Sequence, residues 1–255
     1  MEQTLSRVIS NKEVSPGVHL LWLEAPRLVG ARPGQFVMVD CGEDVLLRRP
    51  LSIHQVDQGR ANLALLFATV GKGTHWLSQR KAGDKVDLLG PSGNGFTVNP
   101  RSKNLLLVGG GLGIAPLAFL AAAAAKDNHA VKLHHGVNTA GEFLLGGLNT
   151  ETVECTGSTV DGSAHTKGLA TVCLPGLADW ADQIFACGPM PMYKAMAKMP
   201  ELKGKSVQVS LEIVMGCGRG ICYGCTIKTR KGLKEVCKDG PVFEMDDVLW
   251  DELNF

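Results

Sequence analysis

Four cysteines near the C-terminal end of the chain constrain its fold more than any other feature. They stand at the spacing C-x4-C-x2-C-x11-C, and glycines separate the first three: Cys217, Gly218, Gly220, Cys222, Gly224, Cys225 and Cys237. Three thiolates from nine residues can converge on one inorganic site only if the backbone folds tightly around it. Glycine permits such folding because it adopts positive φ and carries no side chain. The segment therefore predicts a loop that binds an inorganic centre.

The cysteine spacing also favours one kind of centre. C-x4-C-x2-C is the spacing of plant-type [2Fe–2S] sites, although the fourth cysteine follows sooner here than in soluble plant-type ferredoxins. A structural zinc site more usually has two paired C-x2-C knuckles. Disulfides are disfavoured because the N-terminus has no secretory pattern. We therefore expect a [2Fe–2S] centre, with a zinc site as the weaker alternative.

Composition limits the classes of function. The 255 residues are 45% apolar, which suffices for two compact modules and a small third one. The 26 basic and 25 acidic residues include no sustained basic run, so we expect neither nucleic acid nor a membrane as a partner. The longest apolar run, residues 114–125, is too short for a membrane span and predicts a buried helix. The other four cysteines are scattered, which suits a cytoplasmic protein with reduced thiols.

The first module, residues 1–99, alternates short β-like runs with turns. No helical pattern separates the runs, which cover residues 18–23, 33–39, 63–67 and 85–89. Several short strands in succession predict a small antiparallel barrel. Side chains fill a barrel of this size, so a ligand is expected on its outside.

Two segments of this module suit a ligand that carries phosphate. Residues 49–52, R-P-L-S, place a guanidinium and a hydroxyl on an extended segment, which suits a diphosphate and an isoalloxazine edge. Residues 71–74, G-K-G-T, combine a glycine turn with a hydroxyl at a helix start, where free N–H groups favour phosphate. Taken alone, an Arg-Pro pair is usually only a strand end, and a G-K-G-T stretch is more often an ordinary turn than a phosphate site. Together they favour a flavin site.

The middle module, residues 100–205, has the pattern of an α/β nucleotide-binding domain. An apolar strand at residues 103–108 runs into the glycine turn 109–116, and the alanine-rich helix follows. This order brings a pyrophosphate to backbone N–H groups at the helix start. The turn departs from G-x-G-x-x-G by ending in Pro116, which the first helical turn tolerates.

Later strand ends in this module suggest a shared crevice. In open α/β sheets, ligands gather at the carboxyl ends of strands, so Gly111, Asp161 and Cys187 are expected to face one crevice. No arginine follows the predicted strand at residues 130–137, and this favours NAD over its 2′-phosphorylated form. We interpret His134 and His135, inside that strand, as ordinary strand residues without a catalytic role.

The order of the motifs, RPLS, GKGT, GGGLGIAP, CGPM and then the four-cysteine loop, resembles the ferredoxin–NADP reductase superfamily with an appended cluster. More closely, the whole chain resembles the electron-transfer subunits of type B dihydroorotate dehydrogenases. The resemblance implies FAD bound by Arg49, Pro50, Leu51, Ser52, Leu66, Phe67, Ala68, Gly73 and Thr74. It implies NAD held by Gly109, Gly111, Gly113, Ile114, Ala115, Pro116, Cys187, Gly188 and Pro189. It also implies that Cys217, Cys222, Cys225 and Cys237 ligate the cluster.

The expected architecture is therefore an α+β multi-domain chain: an FAD-binding β-barrel at 1–99, an NAD-binding α/β domain at 100–205, and a [2Fe–2S] module at 206–255. The resemblance implies a subunit without catalytic side chains, which passes electrons from an FMN-containing dihydroorotate dehydrogenase partner to NAD in pyrimidine biosynthesis. It implies a heterotetramer with two copies of each subunit. The three modules leave no room for a barrel of ~250 residues to oxidise dihydroorotate.

Two other classes of function stay open at this point. One is a flavin and iron–sulfur subunit of a hydrogenase or a bifurcating transhydrogenase complex, which would share most of the motifs. The other is a structural zinc protein with a nucleotide-binding-like domain. The motifs do not predict which residues cover the flavin face.

Overall fold

The N-terminal part of the protein is a closed six-stranded barrel in a computed structural model that describes residues 1–144 and 151–253. The strands are antiparallel and follow the order β1-β2-β5-β4-β3-β6 around the barrel. Their bounds are β1 (Glu2–Ser15), β2 (Val18–Glu24), β3 (Phe36–Val39), β4 (Arg49–Asp57), β5 (Asn62–Ala68) and β6 (Lys85–Ser92). The helix α1 (Lys72–Ser78) lies between β5 and β6. The predicted barrel is confirmed.

Strand β1 closes the barrel, and the sequence patterns did not single it out. It is the longest strand and pairs with both β2 and β6. Most of its side chains are exposed, and only Ser6, Val8 and Ser15 are buried. Such a polar strand lacks the continuous apolar run that marks the other strands.

Side chains fill the interior of the barrel, so only the outer face of each strand is available to a ligand. Leu63, Leu65 and Phe67 of β5 point into the barrel, whereas Leu66 belongs to the core shared with the next part of the chain. This follows from the strand period of two, which sends neighbouring side chains to opposite faces. The outer face of β5 therefore meets the α/β sheet.

The second part is a seven-stranded sheet in the order β10-β9-β8-β7-β11-β12-β15. All neighbours are parallel except β12 and β15. The strands are β7 (Asn104–Gly110), β8 (Ala130–Val137), β9 (Val153–Thr159), β10 (Thr166–Lys167), β11 (Gln183–Cys187), β12 (Ser206–Ser210) and β15 (Val242–Glu244). The helices of this part are α2 (Ile114–Lys126), α3 (Leu174–Leu177) and α4 (Met190–Met196). This confirms the predicted α/β architecture.

The cysteine loop leaves the sheet at the edge where the parallel strands end. The chain passes from the carboxyl end of β12 into the loop and forms the hairpin β13 (Thr226–Thr229) and β14 (Gly232–Glu235). A single helical turn, α5 (Val236–Asp239), then leads back to β15, which pairs with β12. The cluster loop is thus held at both ends by the sheet.

The longest helix, α2, is mostly buried between the sheet and the barrel strand β4. Its first turn contains Pro116, as the sequence allowed. Over residues 1–144 and 151–253, no helix combines the length and the apolar character that crossing a bilayer requires.

Buried histidines should make the fold less stable in mild acid. Burial lowers the pKa of His134 to about 4 and also lowers the pKa of His54, which bonds to the carbonyl of Ala115 at 3.0 Å. The native state keeps these rings neutral, whereas the unfolded chain binds protons below the ordinary histidine pKa of about 6.5. The ring of His134 should therefore cost about 1 kcal/mol of the free energy of unfolding at about pH 5.5, and the ring of His54 should lower that free energy in the same direction.

Urea unfolding at about pH 7.5 and about pH 5.5 measures this loss. H54Q and H134Q should each reduce the difference between the two pH values, whereas H75Q, at an exposed histidine, should leave it unchanged. Equal pH dependence in all three variants and the unaltered protein would contradict the assignment.

Candidate cofactor and cluster sites

The four predicted cluster ligands come together as two pairs of thiols. The side chain of Cys217 hydrogen-bonds with that of Cys222, and the side chain of Cys225 with that of Cys237. Across the described ranges, no three His, Cys, Asp or Glu side chains are grouped as ligands of one metal ion. A [2Fe–2S] cluster takes four thiolates, two on each iron. Two adjacent pairs fit that donor set.

Backbone N–H groups already point at the sulfurs. The donors are Arg219 and Ile221 to Cys217 Sγ (3.3 and 3.4 Å), Gly220 to Cys237 Sγ (3.1 Å) and Cys237 to Cys225 Sγ (3.4 Å). Burial alone would raise the pKa of Cys217, but the N–H donors outweigh it and lower that pKa to about 6. The loop therefore favours a thiolate at this position, which is the form that binds metal.

Glycine is required where the cluster loop meets the barrel. Gly218 has a φ of +65°, and a Cβ there would collide with the side chain of Met38 on β3. Met38 is fully buried in the core that also contains Cys225 and Cys237. The loop is thus packed directly on the barrel, and any larger residue at 218 would separate the two.

A cavity of about 720 Å³ lies between the barrel and the start of the cluster loop. Its barrel side contains Arg49, Pro50, Leu51, Ser52 and Leu66, all of them predicted flavin contacts. Its opposite wall is formed by residues 210–215 and Pro241. The cavity therefore runs between the barrel strand β4 and that segment.

The two motifs of the barrel touch each other, although Gly73 and Thr74 are not among the residues that line this cavity. A Cβ on Gly73 would lie 3.3 Å from Nε of Arg49, so the G-K-G-T turn touches the R-P-L-S arginine. Arg48, the residue before Arg49, forms an ion pair with Asp87, with 2.7 Å between Nη2 of Arg48 and Oδ2 of Asp87. This ion pair is part of the barrel wall. The hydroxyl of Thr74 is used inside the turn, where it accepts from the N–H of Val70 at 2.9 Å. Arg48 and Arg49 both line the cavity, and Arg49 is the one whose side chain lies against Gly73.

The predicted contacts on β5 differ in their surroundings. Leu66 lines the cavity, but Phe67 is fully buried in the barrel core and stacks on His19 at a ring distance of 5.6 Å. Ala68 is partly exposed at the strand end. Phe67 can therefore contact a ligand outside the barrel only through its backbone.

A second cavity, of about 380 Å³, lies at the carboxyl ends of β7, β8 and β11. The predicted residues Gly111, Gly113, Gly188 and Pro189 line it, together with Gly110, Leu112, Asn138, Val160 and Thr171. A Cβ at Gly113 would collide with the backbone carbonyl of Cys187, so the absence of a side chain lets the two turns approach each other. Of the three residues expected to face one crevice, Gly111 lines this cavity, whereas Asp161 and the fully buried Cys187 do not.

The remaining predicted nucleotide residues lie around this cavity. Gly109, Ile114 and Pro116 are buried beneath the turn, and Ala115 lines the larger cavity instead. Asp161 is outside the lining, next to Val160, and its carboxylate accepts from the hydroxyl and N–H of Ser163 at 2.6 and 2.9 Å. These hydrogen bonds hold the pKa of Asp161 below its ordinary value.

Glu212 is the site residue that no sequence motif indicated. It and Leu112 line both cavities, so the two spaces adjoin at these side chains. The Glu212 side chain faces both cavities. Burial of its carboxyl group by the surrounding protein nevertheless raises the pKa of that group. Its Oε1 lies 3.8 Å from Sγ of the fully buried Cys187. Its position after the carboxyl end of β12 was the one available signal.

Comparison with known proteins agrees with this geometry. Residues 212–249 match the family described as the iron-sulfur cluster binding domain of dihydroorotate dehydrogenase B. The "Dihydroorotate dehydrogenase B (NAD(+)), electron transfer subunit" of Caldanaerobacter subterraneus subsp. tengcongensis is 37% identical and covers 96% of this chain and 98% of its own length. That of Desulforamulus reducens is 38% identical with the same coverage. The chain belongs to this family of electron transfer subunits.

One solved structure is similar to this chain over its whole fold. The structure titled "Insights into flavin-based electron bifurcation via the NADH-dependent reduced ferredoxin-NADP oxidoreductase structure" matches with a TM-score of 0.89 and 31% identity. The match covers 98% of this chain and 91% of that one. The arrangement of barrel, sheet and cluster module therefore occurs both in the family of this chain and in a bifurcating enzyme.

Loss of one central thiol should remove the cluster and leave the flavin. Cys225 is buried, and its sulfur accepts from the N–H of Cys237. In the C225S variant, iron content and the electron paramagnetic resonance signal after dithionite reduction should fall to background, whereas FAD absorption should persist. The C155S variant, altered on β9 outside the loop, should retain both. An intact cluster in the C225S variant would show that the ligand set is wrong.

Proposed function

We propose that the chain is an electron-transfer subunit that passes electrons from an FMN-containing dihydroorotate dehydrogenase partner, by way of [2Fe–2S] and FAD, to NAD⁺ in pyrimidine biosynthesis. One observation carries the proposal: residues 210–215 form a wall of the larger cavity, contribute Glu212 to the smaller one, and lead directly to Cys217. Bound FAD exchanges paired electrons with NAD and single electrons with an iron–sulfur centre.

The chain's own residues bind and orient the reacting groups. The Arg49 guanidinium, which lines the larger cavity, and the Gly73 turn beside it would together hold a diphosphate. In the smaller cavity, the turn from Gly111 to Gly113 lies at the start of α2, where free backbone N–H groups favour a pyrophosphate, and Gly188 and Pro189 complete the lining. The junction at Leu112 and Glu212 is where a nicotinamide from one cavity would reach a flavin in the other.

The path from the flavin cavity to the cluster is short. Met215 lines the cavity, and Cys217 follows two residues later. Consecutive Cα atoms are 3.8 Å apart, so the Cα atoms of these two residues are separated by at most about 7.6 Å. The segment that lines the larger cavity therefore continues directly into the first predicted cluster ligand.

The surface around the cluster supports a partner subunit. Exposed apolar side chains occupy the loop before β4 and the cluster segment: Leu46, Leu47, Val214, Ile221 and Tyr223. Leu47 and Val214 also line the flavin cavity, which connects the two groups. Apolar side chains that stay exposed together are typical of a protein-binding surface. We assign this surface to the catalytic partner, in a heterotetramer with two copies of each subunit.

We also propose that this complex works in the cytoplasm. All eight cysteines are free thiols in the described part of the chain, and Cys41, Cys155, Cys173 and Cys187 lie outside the cluster loop. Free thiols of this kind persist in a reducing compartment.

Reconstitution tests the function directly. The chain, loaded with FAD and iron, is mixed anaerobically with the FMN-containing dihydroorotate dehydrogenase of the same cells, and NADH formation from dihydroorotate and NAD⁺ is followed. We expect NADH only when both subunits are present. Absence of NADH formation, together with NADH-dependent reduction of ferredoxin and NADP⁺ in complex with another subunit, would favour the bifurcating class instead.

A charge on the apolar surface should weaken the complex. Leu46 is 96% exposed and distant in sequence from the four cluster cysteines, so L46D should fold and keep its cofactors. Burying an unpaired carboxylate at the interface should raise the Kd for the partner by about tenfold or more. The matched control is L5D, at a 61% exposed leucine on β1. Equal partner affinity of both variants, measured by calorimetry, would contradict the docking assignment.

A further inference from the structure

His135 lies directly beneath the glycine turn of the nucleotide cavity. It is fully buried on β8, where it stands opposite Gly109 of β7. Its Nε2 is 2.8 Å from the carbonyl oxygen of Gly111. The turn and the next strand are thus joined by a side chain that the sequence pattern marks only as part of a strand.

The hydrogen bond fixes the tautomer of the ring. A carbonyl oxygen only accepts, so Nε2 of His135 carries the hydrogen and donates it. The same oxygen of Gly111 also accepts from the N–H of Ile114 at the helix start. Both lone pairs of this carbonyl are therefore used by groups within the fold.

The other contacts of the His135 ring indicate that its functional interaction is the hydrogen bond from Nε2 to Gly111. The edge of Phe143 packs against the ring at 5.7 Å, with the planes at 71°. Nδ1 is buried and has no hydrogen-bond partner among the described residues. A buried acceptor left unpaired lowers stability, so a purely structural position would be better occupied by an apolar residue of similar size.

We propose that His135 is a positioning residue for the dinucleotide, because it holds the Gly111 carbonyl away from the cavity that receives the pyrophosphate. Gly111 lines that cavity and has a φ of +53°, which glycine adopts readily, and the direction of its carbonyl is set by the hydrogen bonds from His135 and Ile114. An outward carbonyl oxygen would repel the phosphate oxygens, whereas the fixed turn presents N–H groups to them. The inference rests on the proposed NAD site and deepens it.

The test compares two variants of His135, one without and one with a hydrogen-bond donor to the Gly111 carbonyl. H135L removes it, and H135Q retains an amide N–H at nearly the position of Nε2. NAD⁺ binding to the full chain, loaded with FAD and iron, is measured by titration calorimetry, and NADH oxidation with ferricyanide gives KM and kcat. H135L should raise the Kd for NAD⁺ and the KM for NADH about five- to tenfold, with kcat at saturation within about twofold. H135Q should remain within about twofold of the unaltered protein in all three.

A control separates this role from general destabilisation. His129 also bonds a backbone carbonyl, that of Ser102 at 3.0 Å, at the opposite end of the sheet. H129L should lower the melting temperature without changing the Kd for NAD⁺. If H135L does not fold, H135N replaces it, since its shorter amide does not reach Gly111, and the same loss of affinity is expected.

Three outcomes would overturn the inference, and a fourth would overturn the proposed function. Unchanged NAD⁺ affinity in H135L and H135N, an equal loss in H135Q and H135L, or an equal loss in H129L would each show that His135 does not position the dinucleotide. Failure of the unaltered, fully loaded protein to bind NAD⁺ at all would instead contradict the proposed function.

Discussion

The structure depends on the short segment 210–215, which leaves the sheet at the carboxyl end of β12. The hydroxyl of Tyr193 fixes its start, since it donates to the carbonyl of Ser210 at 2.6 Å and accepts from the N–H of Gly188 at 2.8 Å. One buried phenol thus ties the end of β12 to the turn after β11. Because the same segment borders two cavities and precedes the first cluster ligand, its position sets the geometry of all three sites.

Features encoded by local patterns could be predicted from the sequence. The four-cysteine loop, the strand Ala130–Val137 and the strand, turn and helix around Gly111 all depend on spacing within a few residues, and the structure contains each of them. The barrel was also predictable, since apolar runs separated by turns mark most of its strands. Its longest strand, β1, was not, because its polar side chains hide it and only pairing with β2 and β6 defines it.

Features that depend on distant contacts could not be predicted. Nothing in the sequence near Glu212 signals that two cavities meet there, because their walls come from the barrel, the sheet and the cluster loop. His135 reads as a strand residue until β7 and β8 are placed side by side. The pairing of Cys217 with Cys222, and of Cys225 with Cys237, likewise requires the hairpin and α5 to return the fourth cysteine to the loop.

The central claim is that a flavin and an iron pair exchange electrons within this one chain. The most direct measurement is an anaerobic titration of the isolated, fully loaded protein with NADH, followed by flavin absorbance and by electron paramagnetic resonance. The account predicts that the flavin bleaches and that the signal of a reduced [2Fe–2S] centre appears in the same sample, without any partner subunit. Flavin bleaching with a cluster that only dithionite reduces would contradict it.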